Sequence, residues 1–315
     1  MKRFFATLVI LANGLFAGEY PWSNAAPVEV IQASVTPDQV LDEVPCNWRP
    51  VLTPIVDSMV TGCRTAKEAV LTISSQLSKK TGVFYSPERS KHNMNVLEAL
   101  AEKKVSCTGQ SILLVCALRA IDIPARAVGI RTWNHIRGNH TWAEAWFEGD
   151  WHMIEFNERD FNTPWVMENV GMLNTSNPNQ RILAATPEGK RIWGMSSFAR
   201  PVLAEDVTER YTRIARSWYQ NNGLSDQHQR LLLDIVPRIE HGYPVELLDE
   251  NHSIVAHSIL PSKQDDMRYM TSFHLPRQGL FFLRVNGSNS VIPVSATDQP
   301  VRIIRLSHLQ IPSES

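Results

Sequence analysis

The apolar run at residues 111–120, SILLVCALRA, constrains the fold more than any other feature of the chain. A helix that is hydrophobic on every side has no face to offer to solvent, so the rest of a domain must enclose it. Pro124 follows shortly afterwards and prevents the helix from continuing. The sequence therefore predicts a fully buried central helix with other elements packed around it.

Ahead of this run, the spacing of apolar residues predicts further helices. Apolar residues recur at helical intervals from residue 64 to residue 80, which predicts an amphipathic helix. Thr36 followed by Pro37 is typical of a helix start, because a hydroxyl caps the helix and proline fits its first position. Residues 18–35 have the character of a connector.

After the central helix the pattern changes to strands. Residues 126–132 and 140–147 predict two strands, and 148–150 (Glu-Gly-Asp) predicts a turn into a return strand at 151–156. The second and third of these strands form a hairpin with aromatic residues on one face. Helices followed by antiparallel strands are an α+β layout rather than an alternating βαβ layout.

From about residue 243 the chain consists of short β runs separated by turn residues. This pattern predicts a small C-terminal β-sandwich. The runs lie at residues 245–248, 254–260, 270–275, 280–285, 291–294 and 301–306.

The N-terminal sequence predicts a secretory signal peptide. Lys2 and Arg3 form a basic start, residues 4–16 are mostly apolar, and Ala17 provides a small residue after them. The apolar stretch is short for a bilayer span. We therefore expect an exported protein, secreted or periplasmic, that has no membrane association once the signal is removed.

The charge of the chain gives no support to a polyanionic partner. The formal net charge is −1, and no stripe of Lys and Arg stands out. Nucleic acid is therefore not an expected partner. The sequence leaves the oligomeric state open.

Four cysteines are present, and export makes disulfides permissible. Cys107 and Cys116 lie nine residues apart on one predicted helix, about 13 Å in rise, which is beyond disulfide reach. Cys46 and Cys63 are the natural pair. The alternative is that both remain free and buried.

Cys107 lies at the start of the central helix, where the helix dipole and free N–H groups favour a thiolate. His140 opens the strand that follows, and Glu155 lies in the return strand. A thiol, an imidazole and a carboxylate suit nucleophilic catalysis. The alternative for Cys107 is an inert buried thiol, because cysteine is among the most buried residue types.

A metal site is the less favoured use of these residues. His135 and His152 lie near His140 in the sequence, but the chain has neither CxxC nor HExxH spacing. We therefore expect no metal ion and no cofactor.

Three motifs around the proposed site carry a resemblance to a known family. They are SCTGQSILL at 106–114, RAIDIPAR at 119–126, and HTWAE at 140–144 with Trp151 after it. Together, over roughly residues 65–200, they resemble the transglutaminase-like superfamily of papain-type cysteine enzymes. They are similar in particular to exported bacterial members with a C-terminal β domain.

The chain departs from the family pattern at two positions. In the family a cysteine begins the central helix, an R-x-x-G-I-P-A-R element follows, and an H-A-W-V-E strand leads to W-x-x-x-D-P. Here Asp122 stands where the glycine is usual, and Glu155 stands for the aspartate.

The resemblance implies Cys107, His140 and Glu155 as the catalytic residues. Cys107 would attack a carbonyl carbon, His140 would hold the thiolate and protonate the leaving amine, and Glu155 would orient the imidazole. Glu158 is the competitor for the third role, because a tight hairpin would bring residues near it opposite His140. We prefer Glu155 because it is expected to lie inside the strand and to be fixed by packing.

The expected fold is α+β, with a transglutaminase-like, papain-type core whose central helix packs on an antiparallel sheet, plus a small C-terminal β-sandwich. The expected domains are a signal peptide and connector at 1–26, a transglutaminase-like domain at 27–200, a helical linker at 201–240 and the β-sandwich at 241–315.

The function implied is that of an exported cysteine enzyme that cleaves or transfers amide bonds of peptides or proteins through a thioester. That makes it a cysteine protease or amidase, or a transglutaminase-like acyltransferase. Hydrolysis is favoured, since no sequence feature marks an amine-acceptor site. One alternative is a catalytically inactive module that binds peptide or a cell-surface polymer. A second is an adhesion protein whose working part is the C-terminal β domain.

Overall fold

A computed structural model of the chain describes residues 20–136, 138–192, 202–225, 227–238, 240–263, 265 and 269–307. The basic and apolar segment on which the signal-peptide prediction rests lies outside the described residues. The described part forms two compact units. The first comprises the described residues up to 132 with 139–163 and 174–209, and the second comprises 133–138, 164–173 and the described residues from 210 onward.

The helices of the first unit are arranged around one buried helix, as the sequence predicts. That helix, α5, has every residue except Gln110 buried. The amphipathic helix α3 is also confirmed, and Thr65 caps it by accepting the N–H of Glu68 at 3.2 Å. All helices among the described residues are too short or too polar to traverse a bilayer. The bounds are α1 Val28–Ser34, α2 Arg49–Val60, α3 Ala66–Thr81, α4 Val96–Glu102 and α5 Cys107–Arg119.

A six-stranded antiparallel sheet completes the first unit, in the order β5-β4-β3-β6-β8-β7. Apolar side chains of α5 and of strands β3 and β4 belong to one core cluster, so the central helix packs on this sheet. The predicted α+β class is confirmed. The bounds are β3 Ala125–Ile130, β4 His140–Phe147, β5 Asp150–Ile154, β6 Ile182–Ala185, β7 Arg191–Ile192 and β8 Leu203–Asp206, while β1 (Phe84–Tyr85) and β2 (Lys104–Val105) form a separate parallel pair.

The hairpin β4–β5 forms where the sequence predicts it. Glu148 and Gly149 both have positive φ, 52° and 85°, which is the geometry of a two-residue type I′ turn. The strand β5 ends at Ile154, earlier than expected. Glu155 therefore follows the strand rather than lying inside it, and something other than the sheet must hold it.

Asp122, which stands where a glycine was expected, adopts a left-handed backbone conformation. Asp122 has φ 60°, in the left-handed region that glycine adopts most easily and that aspartate tolerates better than most residues. Its carboxylate accepts a hydrogen bond from the Ser23 hydroxyl at 2.8 Å. Asp122 thus adopts a left-handed backbone conformation, which would account for a glycine at this position.

The predicted helix start at Thr36 is wrong. Helix α1 lies before it, and residues 36–43 form bends rather than a helix. The buried carboxylate of Glu43 accepts the N–H groups of Val40 and Leu41 at 2.6 and 2.8 Å. Because this side chain satisfies those backbone donors, the segment needs no helical hydrogen bonds.

The described residues of the second unit form helix α6, most of helix α7, and two sheets that share a core. The sheets have the orders β11-β10-β13-β14 and β12-β9-β15, and strands of both contribute to one apolar cluster. The additional C-terminal β sheets are confirmed. The bounds are α6 Pro164–Val170, α7 Thr208–Asn221, β9 His228–Ile235, β10 Pro244–Leu248, β11 Ile254–Ile259, β12 Thr271–Pro276, β13 Leu280–Val285, β14 Ile292–Ser295 and β15 Val301–Leu306.

The region expected to be a helical linker, 201–240, contains strands as well as a helix. Strand β8 precedes α7, and β9 follows it as the central strand of a C-terminal sheet. All residues of β9 after His228 are buried. A strand buried on both faces lacks the alternating pattern of an exposed strand, which is why the sequence did not reveal it.

All four cysteines are unbridged, so the expected Cys46–Cys63 disulfide is absent. Helix α2 occupies residues between these two cysteines, and its 12 residues span about 18 Å. Disulfide geometry requires Cα atoms within about 7 Å. The sequence analysis did not predict α2, and the pairing fails for that reason.

Candidate active site

Cys107 is the first residue of α5, so its thiol lies at the positive end of the buried helix. Ser106 caps this end: its hydroxyl oxygen accepts the N–H of Gly109 at 2.9 Å and its O–H donates to the carbonyl of His92 at 2.6 Å. The first N–H groups of a helix have no partner within the helix. The helix start therefore presents a thiol beside backbone donors.

Two hydroxyl contacts join the start of α5 to the start of β4. The Ser111 hydroxyl lies 2.9 Å from the carbonyl oxygens of both Cys107 and Thr141. The hydroxyl oxygens of Thr108 and Thr141 are 3.0 Å apart. Since Thr141 adjoins His140, these contacts fix the backbone of the thiol relative to the backbone of the imidazole.

His140 pairs with the carboxylate and lies close to the thiol. Its Nε2 lies 2.6 Å from Oε1 of Glu155. Cys107 is near enough to contribute to the raised pKa of the same imidazole. Because Nε2 faces Glu155, a hydrogen bond to the thiol would use Nδ1.

The surroundings of His140 favour its charged form. Burial alone would lower its pKa, but the hydrogen bonds and negative charges of Cys107 and Glu155 outweigh burial and raise the pKa from 6.5 to about 10. The side chain is only 9% exposed, so solvent screens these interactions weakly. A charged imidazole that is backed by a carboxylate and lies near a thiol is a setting that favours a reactive cysteine.

Glu155 is held by residues outside the hairpin. The Thr163 hydroxyl donates to Oε2, and the Ser74 hydroxyl donates to the backbone carbonyl of Glu155 at 2.6 Å. Ser74 is fully buried on α3 and also contacts the backbone of Glu158 at 2.7 Å. The turn after β5 is therefore hydrogen-bonded to helix α3, and the Glu155 carboxylate is hydrogen-bonded to Thr163.

Glu158, the competitor for the third role, is exposed at the surface. Partial burial of its carboxyl group, together with repulsion from Glu155 and Asp160, raises its pKa from 4.5 to about 7. The strand ends before residue 158 would come opposite His140. The recorded contact to the imidazole belongs to Glu155.

The structure brings together the three residues that the sequence analysis selected, and their catalytic roles remain predictions. It adds Ser74, Ser111 and Thr163, which sequence reasoning missed. Serine and threonine are common at surfaces, and nothing in their sequence neighbourhood distinguishes these three. Among the described residues no group of three or more His, Cys, Asp and Glu side chains is arranged to hold a metal ion.

A cysteine thus begins a buried helix and lies close to a histidine at the head of an antiparallel hairpin. Residues 53–156 match a family model described as transglutaminase-like superfamily. This part of the chain is a transglutaminase-like core. The matched segment contains α3, α5, the hairpin and all three selected residues.

Several solved structures are similar to this one at low sequence identity. A candidate cysteine protease from Cytophaga hutchinsonii is 14% identical, with 53% of this chain and 68% of that chain covered and a TM-score of 0.33. Red sea bream transglutaminase is 11% identical, with 88% and 65% covered and a TM-score of 0.41. The chain thus spans about two thirds of each of these proteins. A comparison with curated protein sequences gives no match.

Proposed function

We propose that the protein is a cysteine enzyme that opens amide bonds of peptides or proteins through a thioester on Cys107. The observation that carries the proposal is the His140–Glu155 pair close to Cys107, which begins a buried helix. A buried cysteine that serves only packing needs neither a charged imidazole nor a carboxylate behind it. The transglutaminase-like core supports the same reaction class.

In the acylation step the Cys107 thiolate attacks the carbonyl carbon of the amide. The oxyanion that forms accepts hydrogen bonds from backbone N–H groups at the start of α5. The C–N bond then breaks as the His140 imidazolium gives its proton to the departing nitrogen. The products are a free amine and an acyl thioester on Cys107, beside a neutral imidazole.

In the deacylation step His140 takes a proton from the incoming nucleophile, which attacks the thioester carbonyl. Water gives a carboxylic acid, and a primary amine gives a new amide; in both cases the thiolate and the imidazolium are restored. Glu155 holds the imidazole in one orientation and stabilises its positive charge through both steps. We favour water, because no feature of the sequence marks a site for an acceptor amine.

The test measures two products from one panel of unfolded proteins and peptides. New carboxyl and amino termini report hydrolysis, and incorporation of a fluorescent primary amine reports acyl transfer. The variants are Cys107→Ala and, as the matched control, Cys116→Ala, which removes the other buried thiol of the same helix. Burial raises the pKa of the Cys116 thiol above its ordinary value, so Cys116 stays protonated and unreactive.

We expect both products to be absent with Cys107→Ala and any hydrolysis to persist with Cys116→Ala. Turnover by Cys107→Ala would refute the proposed nucleophile. A wild-type protein that retains a panel peptide without converting it would instead support the inactive binding module. Retention that depends on residues 241–315 alone would support an adhesion protein.

Export is also part of the proposal, and it is supported by the N-terminal sequence alone, which is basic at Lys2 and Arg3 and then apolar. The measurement is the intact mass of protein recovered from the medium and from the periplasm of a Gram-negative expression host. A mature chain that lacks the basic and apolar segment, residues 2–16, is expected. Full-length protein confined to the cytosol would contradict export.

A further inference from the structure

Glu155 is restrained at three points although it lies outside regular structure. Its Oε1 is 2.6 Å from Nε2 of His140, and its Oε2 accepts the hydroxyl of Thr163. Its carbonyl oxygen accepts the hydroxyl of Ser74. Each carboxylate oxygen of Glu155 therefore has its own hydrogen-bond partner, and the backbone carbonyl oxygen has a third.

A glutamate needs such restraint if it is to act through an imidazole. Three rotatable side-chain bonds allow many orientations, and fixing them costs conformational entropy. The side chain of Glu155 is 16% exposed, so few orientations of its carboxylate are satisfied by water. A donor on Oε2 selects the orientation in which Oε1 faces His140.

Thr163 is itself well placed to be a fixed donor. It is 3% exposed, so its hydroxyl has little access to solvent. Pro164, the first residue of α6, follows it and favours an extended backbone at position 163. Little water can therefore compete for the hydroxyl proton that Thr163 donates to Oε2 of Glu155.

We infer that Thr163 is a positioning residue of the thiol site, whose hydroxyl holds the Glu155 carboxylate in the orientation that supports the His140 imidazolium. This inference rests on the proposed function, because Thr163 acts only through residues of that site. Hydrogen bonds to charged groups are stronger than those between neutral groups. Loss of the hydrogen bond from Thr163 to Glu155 is therefore expected to affect the His140 imidazole through the Glu155 carboxylate.

The first experiment measures the rate at which iodoacetamide alkylates Cys107 in the full-length protein, followed by mass mapping of the Cys107 peptide. Thr163→Val removes the hydroxyl at nearly constant volume and is expected to slow alkylation about ten- to a hundredfold. Thr163→Ser restores the hydroxyl and is expected to restore most of the rate. If Thr163→Val does not fold, Thr163→Ala removes the same hydroxyl without adding a methyl group.

The second experiment repeats Thr163→Val in a Glu155→Ala background. A residue that acts only through Glu155 has no further effect once that carboxylate is gone, so the two variants with Ala at 155 should react at equal rates. A further loss in this background would show that Thr163 is merely structural and would overturn the inference. Equal rates for the wild type, Thr163→Ser and Thr163→Val would overturn it as well.

The third experiment follows the His140 imidazole by NMR, with His140→Ala used for assignment. Thr163→Val should lower the pKa of His140 relative to the wild type, and Thr163→Ser should not. An unchanged pKa in Thr163→Val would contradict the inference. Failure of the proposed function has a different result: wild-type Cys107 would then react no faster than the same cysteine in the unfolded protein.

Discussion

Two largely buried histidine–glutamate pairs lie among the described residues, and the first of them is close to a thiol. In the first unit, Nε2 of His140 lies 2.6 Å from Glu155, and Cys107 contributes to the raised pKa of this imidazole. In the second unit, Nε2 of His274 lies 2.9 Å from Oε1 of Glu168. The group next to each pair differs: a thiol lies near the first pair and a guanidinium beside the second. The two pairs are therefore expected to have different roles.

The pair in the second unit belongs to an arginine-centred network. Arg230, 1% exposed, lies 2.6 Å from Oε2 of Glu168 and also donates to Asn169 at 2.9 Å and to Ser272 at 3.0 Å. Burial alone would raise the pKa of Glu168, but Arg230 and His274 outweigh it and lower the pKa. The network joins helix α6 to strands β9 and β12 of the second unit.

The contrast between the two pairs indicates that a largely buried His–Glu pair does not by itself mark a candidate active site. In the second unit the glutamate is neutralised by a guanidinium, which has no nucleophilic chemistry. In the first unit the imidazole is placed between a carboxylate and a thiol at a helix start. Mutation should therefore affect reactivity at one pair and stability at the other.

The largest expected effect is on reactivity at the first pair. We expect His140→Ala to reduce turnover of a panel peptide by about 10⁴-fold or more, because thiolate and imidazolium act as a unit. His274→Ala, the matched variant in the second unit, should leave turnover of the folded protein within about twofold, because His274 bonds to Glu168, whose other partner is a guanidinium. Equal losses in the two variants would end the distinction between the pairs.

The next effect separates the two carboxylates near the hairpin. Glu155→Gln should reduce turnover by about 10²- to 10⁴-fold, since the amide no longer stabilises the charged imidazole. Glu158→Gln should cost less than about tenfold, because that side chain is exposed and acts only through the field it adds. Steady-state rates with the same peptide decide between them. A crippled Glu158→Gln beside a nearly normal Glu155→Gln would reverse the assignment.

The third effect is on stability at the second pair. Arg230→Met should lower the free energy of unfolding by about 3–5 kcal/mol, because it leaves Glu168 buried without its positive partner. Urea unfolding measures this loss. Alkylation of Cys107 in the folded variant should keep its wild-type rate. A stable variant would show that the network contributes little, and a slowed alkylation would show that the two pairs are not independent.

The sequence predicts the main elements of the first unit because each has a local cause. The apolar run of α5, the hairpin turn at Glu148 and Gly149, and the motif around His140 all depend on neighbouring residues. The placement of Cys107 at the helix start follows from the motif at 106–114, which leads into the apolar run. Such features need no knowledge of distant contacts.

The remaining features depend on contacts that are distant in sequence. Ser74 fastens the turn after Glu155 from 81 residues away, and no pattern around Ser74 signals this. Strand β9 is buried on both faces, so its periodicity is lost. The bends near Thr36 form because the Glu43 carboxylate takes their backbone donors, which outweighs a favourable helix cap.

The smallest expected effect concerns the unbridged cysteines. With Cys46 and Cys63 free, a reducing agent should change the melting temperature by less than about 1 °C. A bridge between them would close a loop of about 17 residues and contribute on the order of 3 kcal/mol, so that reduction would lower the melting temperature by several degrees. Differential scanning calorimetry with and without reductant distinguishes these outcomes.

The charged state of His140 also has a consequence for stability. The pKa of His140 in the folded protein is raised above its ordinary value of 6.5, to about 10. The corresponding stabilisation is fully present below pH 6.5 and is lost as the pH rises through about 10. Urea unfolding at pH 6, 8 and 10 should show stability falling over this window, and His140→Gln should flatten that part of the dependence.

The most direct measurement is an NMR titration of the His140 imidazole in the wild-type protein, assigned by comparison with His140→Ala. We predict that His140 is still protonated at pH 8 and titrates near pH 10, and that Cys107→Ala lowers its pKa, because the thiolate is one source of the shift. An imidazole that titrates near its ordinary value, with or without Cys107, would contradict the thiolate–imidazolium pair on which the proposed chemistry depends.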